Sequence, residues 1–159
     1  MRHRLRYMQG LVVGLVTVLA LTLIPHNASA KSLAIWDTLQ GTNSKGYVLL
    51  MRHALAPGVG DPENFRVGDC STQRNLNDEG RQDAREIGKW LKRREVRIFR
   101  VESSRWCRAK ETAELLGVGR VRLNKNLDSL FEDDDTLNDP QTANIRKRIV
   151  SHRNTSGLL

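Results

Sequence analysis

Apolar and polar residues along this chain fall into blocks that switch between two periods. Val48, Leu49, Leu50 and Met51 form a short unbroken apolar run, the pattern of a strand covered on both faces. Ala84, Ile87, Gly88 and Leu91 recur at helical spacing and predict a helix that starts after Asn77 and ends near Arg94. Asn77 is a good N-cap, and Asp78 and Glu79 suit the positive first turn. Residues 97–101 predict a second strand, residues 108–116 a second helix stopped by Gly117, and residues 118–123 a short third strand. Asp139 followed by Pro140 predicts a third helix reaching about His152, with Ile145 and Ile149 on one face. Residues 157–159 look like the start of a further strand. The stretch 54–76 carries Pro57, Gly58, Gly60, Asp61, Pro62 and Gly68. A loop of that length inside a compact domain is usually functional.

The order strand, helix, strand, helix, short strand, loop, helix, incomplete strand predicts an α/β three-layer sandwich. Its sheet would be mainly parallel and flanked by helices, with the last core strand or strands missing. Such a chain is expected to be C-terminally truncated, either the shortened product of a longer gene or a partly folded fragment. Residues 1–30 stand apart from this pattern. Arg2, His3, Arg4 and Arg6 precede an apolar stretch at 11–24, and Ala28-Ser29-Ala30 supplies a small-x-small cleavage pattern. This is the layout of a secretory signal peptide, and the apolar part is short beside the roughly 20 residues a membrane span needs. Cleavage after Ala30 is expected, against the competing reading of an uncleaved anchor. Residues 31–45 then form a lead-in and residues 46–159 a single domain. The expected location is across the inner membrane, in a periplasm-type compartment, with no stable membrane association after cleavage.

Composition narrows the partners. The formal net charge is +8, and three of those charges are arginines of the leader. The densest basic run, Lys89, Lys92, Arg93 and Arg94, has few aromatics near it, which argues against a stacking platform for nucleic acid. Attraction to a small anionic substrate remains in keeping with the charge. Cys70 and Cys107 are the two cysteines. In an exported chain they can form a disulfide or stay as two thiols, and their spacing does not choose between these. Neither they nor the acidic run at 132–135 has metal-ligand spacing, so no metal or other cofactor is expected. The oligomeric state is not readable from the sequence.

The chemistry-bearing residues lie at strand ends. Arg52 and His53 close the first apolar run, and Ser103 and Ser104 close the second strand just before Arg108. The carboxyl end of a strand in an open α/β sheet is where ligands bind. A neutral imidazole there can attack phosphorus with one ring nitrogen while the other donates to a fixed acceptor. Arginine suits the phosphate oxygens because its planar fork meets two at once. Arg52 and Arg108 would form that clamp, assisted by Ser103 or Ser104 and by the amides at the start of the second helix. Arg66 and Arg74 can meet an anionic substrate from the loop, with solvent exposure as the default for both, and Arg105 is expected to be solvated.

These segments together resemble the histidine phosphatase superfamily, which includes phosphoglycerate-mutase-like and acid phosphatases. LMRHA at residues 50–54 is similar to its Arg-His-Gly motif, with Ala54 in place of glycine. Leu76 to Gly80 is similar to its Leu-x-x-x-Gly helix entry. Ser103-Ser104 with Arg108-Ala109 and Thr112-Ala113 is similar to its Ser-Ser-x-x-x-Arg-Ala-x-x-Thr-Ala segment. The resemblance spans roughly residues 47–116. It implies phosphate monoester hydrolysis or transfer through a phosphohistidine on His53, with Arg52, His53, Arg108 and Ser104 binding phosphate and no cofactor. The superfamily's second histidine follows a later core strand that this sequence does not reach. His152, at the end of the third helix, is a poor substitute. Its proton donor commonly follows a Leu-x-Glu pattern, where this chain reads Leu127-Asp128-Ser129; Asp128 and Glu132 are the nearest candidates. The alternative is a catalytically inactive phosphate- or phosphoester-binding module, a remnant of a longer enzyme.

Overall fold

In the computed structural model, residues 36–40, 45–130 and 137–154 are described. The leader at 1–30, the acidic run with Glu132, and residues 157–159 lie outside them. The elements in chain order are α1 (Asp78–Arg93), β1 (Val101–Ser103), α2 (Cys107–Leu116), β2 (Val121–Leu123) and α3 (Pro140–Ser151), with short 3-10 turns at Cys70–Thr72, Lys125–Leu127 and His152–Asn154. β1 and β2 pair in parallel, with Val101 opposite Val121 and Ser103 opposite Leu123. Parallel neighbours cannot be joined by a tight turn, and α2 makes the crossover. The fold is α/β.

The helices begin and end where local chemistry dictates. Asn77 caps α1 by accepting from the Gly80 amide at 2.8 Å, and Asp139 caps α3 by accepting from the Gln141 amide at 2.6 Å. Gly117 takes the left-handed conformation that ends α2, with φ of 60°, which costs a glycine little. Leu91 of α1 packs with Leu39 and Val96, and Trp36, Trp90, Ile98 and Val118 close around them. Burying a leucine side chain of this kind stabilises by about 1.5–3 kcal/mol. Helices α1 and α2 meet through Gly88, where an added Cβ would overlap the Leu116 carbonyl. Gly80 serves the same purpose one turn into α1, because a Cβ there would overlap the backbone of Leu55. That close approach sets the segment following His53 directly on the helix. α3 is fastened to β1 by Glu102, which accepts from Arg148 Nε at 3.0 Å and Asn124 Nδ2 at 2.9 Å.

Three expectations need correction. The run 47–51 joins no ladder among the described residues, and Leu50 and Met51 are 70% and 43% exposed. A strand becomes one only by hydrogen bonding to a neighbour, and an apolar run alone does not supply the neighbour. The second strand begins at Val101 instead of ending there, since β2 offers partners only from that position onward. Ile87, expected in the core, is 38% exposed, and the contact face of α1 runs through Gly80, Ala84, Gly88 and Leu91.

Candidate active site

A cavity of about 790 Å³ is lined by residues 48–53, by β1 and Ser104, by Arg74 and Arg108, and by Ile145 and Ile149 of α3. It lies at the carboxyl end of β1 and the start of α2. Arg52, His53, Ser104 and Arg108 all line it.

His53 donates from Nδ1 to the Ala54 carbonyl oxygen at 2.7 Å. A carbonyl only accepts, so Nδ1 carries the proton and Nε2 carries the lone pair. Burial holds the imidazole below its ordinary pKa, against the Ala54 hydrogen bond that raises it, and Arg108, Arg52 and Arg74 push it further down. The ring is kept neutral by its surroundings. Ala54 also ties the two motifs together. Its amide donates to Thr112 Oγ1 at 3.0 Å, and the same hydroxyl donates to the Arg108 carbonyl at 2.7 Å.

Arg108 is buried. Its Nη1 donates to Asp61 Oδ1 at 2.7 Å and, more weakly, to the Arg74 carbonyl at 3.4 Å. Its Nε is buried with no hydrogen-bond partner among the described residues. Asp61 comes from the glycine-rich part of the 54–76 loop and is 3% exposed at its side chain, against 7% for Arg108. It also accepts from the Arg74 amide and from Trp106 Nε1, each at 3.0 Å. Burial alone would raise the Asp61 carboxyl, but the hydrogen bonds from Arg108, Arg74 and Trp106 outweigh it and hold the pKa below the ordinary value.

Arg74, for which solvent is the default expectation over contact with an anion, lines the cavity, donates from Nε to the Gly60 carbonyl at 2.8 Å and bonds the Ala56 carbonyl through Nη1. Burial and then the nearby Arg108 push its pKa below the usual arginine value. The loop is also cross-linked to α2, because Cys70 and Cys107 form a disulfide, and Phe65 stacks on Trp106 at 4.9 Å between ring centroids. A run of 3-10 helix at Cys70–Thr72 and a buried Gln73 set up that junction.

The two amides just ahead of α2 and the first amide of the helix are bonded within the protein. The Arg105 amide is taken by Asp128 at 2.9 Å, the Trp106 amide by Ser104 Oγ at 3.2 Å, and the Cys107 amide by Gln73 Oε1 at 2.8 Å. Asp128 is occupied by this arrangement, accepting from Ser104 Oγ at 3.1 Å and from Arg105 Nε at 2.7 Å. Arg105, expected in solvent, is 44% exposed at its side chain and pairs with that carboxylate. Ser104 lines the cavity with its hydroxyl given to Asp128. Glu132 lies outside the described residues. His152 is buried at the end of α3 and is not among the lining residues of the cavity.

The sequence model of the histidine phosphatase superfamily (branch 1) matches residues 48–136. That span contains His53, Asp61, Arg74, the disulfide and Arg108. The chain belongs to the histidine phosphatase superfamily. Membership supports a phosphatase-type function and the binding of a small phosphorylated substrate. No curated protein and no solved structure matched the chain. Within the superfamily's pattern, the arginine, the histidine and the second-segment arginine all line one cavity here. Thr112, which stood in the sequence only as part of a motif, proves to be the hydroxyl joining the histidine segment to the arginine helix.

Proposed function

We propose that the protein is an exported phosphomonoesterase that works through a phosphohistidine on His53. The observation that carries this reading is the Nδ1 hydrogen bond to the Ala54 carbonyl, which leaves Nε2 unprotonated in a cavity shared with Arg52, Arg74 and Arg108. Nε2 attacks phosphorus, the bond from phosphorus to the ester oxygen breaks, and that oxygen takes a proton from a carboxylic acid as it leaves. Water then attacks the phosphorus of phospho-His53 and gives its proton to the carboxylate left by the first step. Inorganic phosphate departs and the free imidazole returns. The arginines stabilise the charge on the transferring group throughout. Asp128 is committed to Ser104 and Arg105, which favours Glu132 as the acid. Export is supported by the basic and apolar leader and by the Cys70–Cys107 disulfide, since such bonds persist mainly outside the reducing cytoplasm.

The test is hydrolysis of a chromogenic aryl phosphate by the purified protein and by His53→Ala. Loss of the nucleophile should lower turnover by at least about a thousandfold. The pH profile carries a second check. Because the folded imidazole lies below 6.5, its reactive neutral form grows as pH rises through that lowered value. The acid limb of kcat/KM should therefore have its midpoint below 6.5. Equal turnover by His53→Ala would remove the histidine from the mechanism.

A second reading, phosphate binding without turnover, is favoured by one observation. His53 is the only imidazole among the described residues lining the cavity. Phosphate binding by a folded protein that hydrolyses nothing would establish it.

A further inference from the structure

We propose that Asp61 is a positioning residue for the phosphate clamp, holding Arg108 by one edge of its guanidinium so that the other edge meets a phosphate oxygen. The inference rests on the phosphate-binding reading of the site and adds to it a residue from outside the motifs that carry that reading.

A guanidinium has two usable edges, and a clamp works only when rotation about the last side-chain bonds is stopped. In Arg108 the Nη1 position is fixed by Asp61 at 2.7 Å and the Arg74 carbonyl at 3.4 Å. The Nε position is buried and has no partner among the described residues. A buried unpaired donor costs stability unless something accepts from it, and a phosphate oxygen is the acceptor this cavity is charged to receive. Asp61 itself is held from two further directions, by the Arg74 amide and by Trp106 Nε1 at 3.0 Å each. With three donors on one carboxylate, it is a fixed post and not a gate that a ligand displaces. The charges agree with this role. Five arginines and two carboxylates, Asp61 and Glu102, line the cavity, a net positive charge that favours a phosphate monoester dianion.

The sign of one measurement separates the possible roles. If Asp61 only competed with phosphate for Arg108, neutralising it would tighten phosphate binding. If it positions Arg108, neutralising it loosens the clamp although the pocket has become more positive. Calorimetric titration of inorganic phosphate into the purified protein and into Asp61→Asn is expected to show weaker binding by about tenfold or more, with kcat/KM for an aryl phosphate falling in parallel. The effect should vanish when Arg108 is already changed. In an Arg108→Lys background, Asp61→Asn should alter the phosphate dissociation constant by less than about twofold, the non-additivity of residues acting through one another. A purely structural role would give additive losses. Asp61→Glu keeps the charge and lengthens the arm by one methylene, so it serves if Asp61→Asn does not fold. It too should weaken phosphate binding by about tenfold through misplacement of Arg108.

Tighter binding by Asp61→Asn, unchanged binding by Asp61→Glu, or additive losses with Arg108→Lys each overturn the proposal. Absence of phosphate binding in the unmutated protein sinks the phosphate reading itself, and this role with it. The two failures are thereby told apart.

Discussion

Arg108→Ala is expected to lose phosphate binding and about 3 kcal/mol of stability in the same step. The two losses have one cause. Arg108 is the cationic partner of Asp61, and both side chains are nearly inaccessible, at 7% and 3% exposed. Removing one member of a buried pair leaves the other charged and without its counterion. The figure belongs at the low end of the usual range because the Arg74 amide and Trp106 Nε1 still donate to the carboxylate. Against a domain stability of roughly 5–15 kcal/mol, such a loss would show in a urea titration followed by near-UV circular dichroism. The double variant Arg108→Ala with Asp61→Asn should regain much of the stability while remaining unable to bind phosphate. A single variant as stable as the parent would mean that the ion pair is solvated, and would remove the basis for treating Arg108 as a built part of the site.

The second large effect concerns the disulfide. Cys70 and Cys107 are 37 positions apart, and closing a loop of that length in the unfolded chain corresponds to about 4 kcal/mol. Replacing both by serine should therefore lower the midpoint of thermal unfolding by roughly 10–20 °C for a domain of this size. The phosphate site should weaken as well. The bond holds the 54–76 loop against the start of α2, where Gln73 bonds the Cys107 amide and Asp61 bonds Arg108. Melting curves with and without reductant, beside the double serine variant, measure the first effect, and phosphate titration of the same samples measures the second. If reductant leaves both the melting point and phosphate binding unchanged, the loop is held by its hydrogen bonds and packing alone.

What the sequence disclosed and what it withheld divide along the reach of the interactions. Asn77, Gly117 and Asp139-Pro140 marked helix ends because a cap is made by neighbours within a few positions. The Arg-His and Ser-Ser-x-x-x-Arg segments were legible because each is a continuous stretch. The run 47–51 carried the right residues for a strand, yet strand formation depends on a second strand that no local pattern specifies. The inward bonding of Asp61, Gln73 and Arg74 was not legible for a related reason. Their partners lie far along the chain, with Gln73 reaching Cys107 across 34 positions and Asp61 reaching Arg108 across 47. A loop rich in glycine and proline announces that it is a loop. It does not announce which of its polar residues will be folded inward, although a carboxylate set between Gly60 and Pro62 was a fixed place from which to offer one.

Ala54 occupies the position where the superfamily's motif has glycine, and its backbone accounts for the exchange. Its amide donates to Thr112 Oγ1 and its carbonyl accepts from His53 Nδ1, so Ala54 links the imidazole to the arginine helix through its own main-chain atoms. Among the described residues, Glu95 is the sole one other than glycine with positive φ, so Ala54 does not sit in a conformation reserved for glycine. The third letter of the motif is read through its peptide groups, and a methyl group there leaves the message intact.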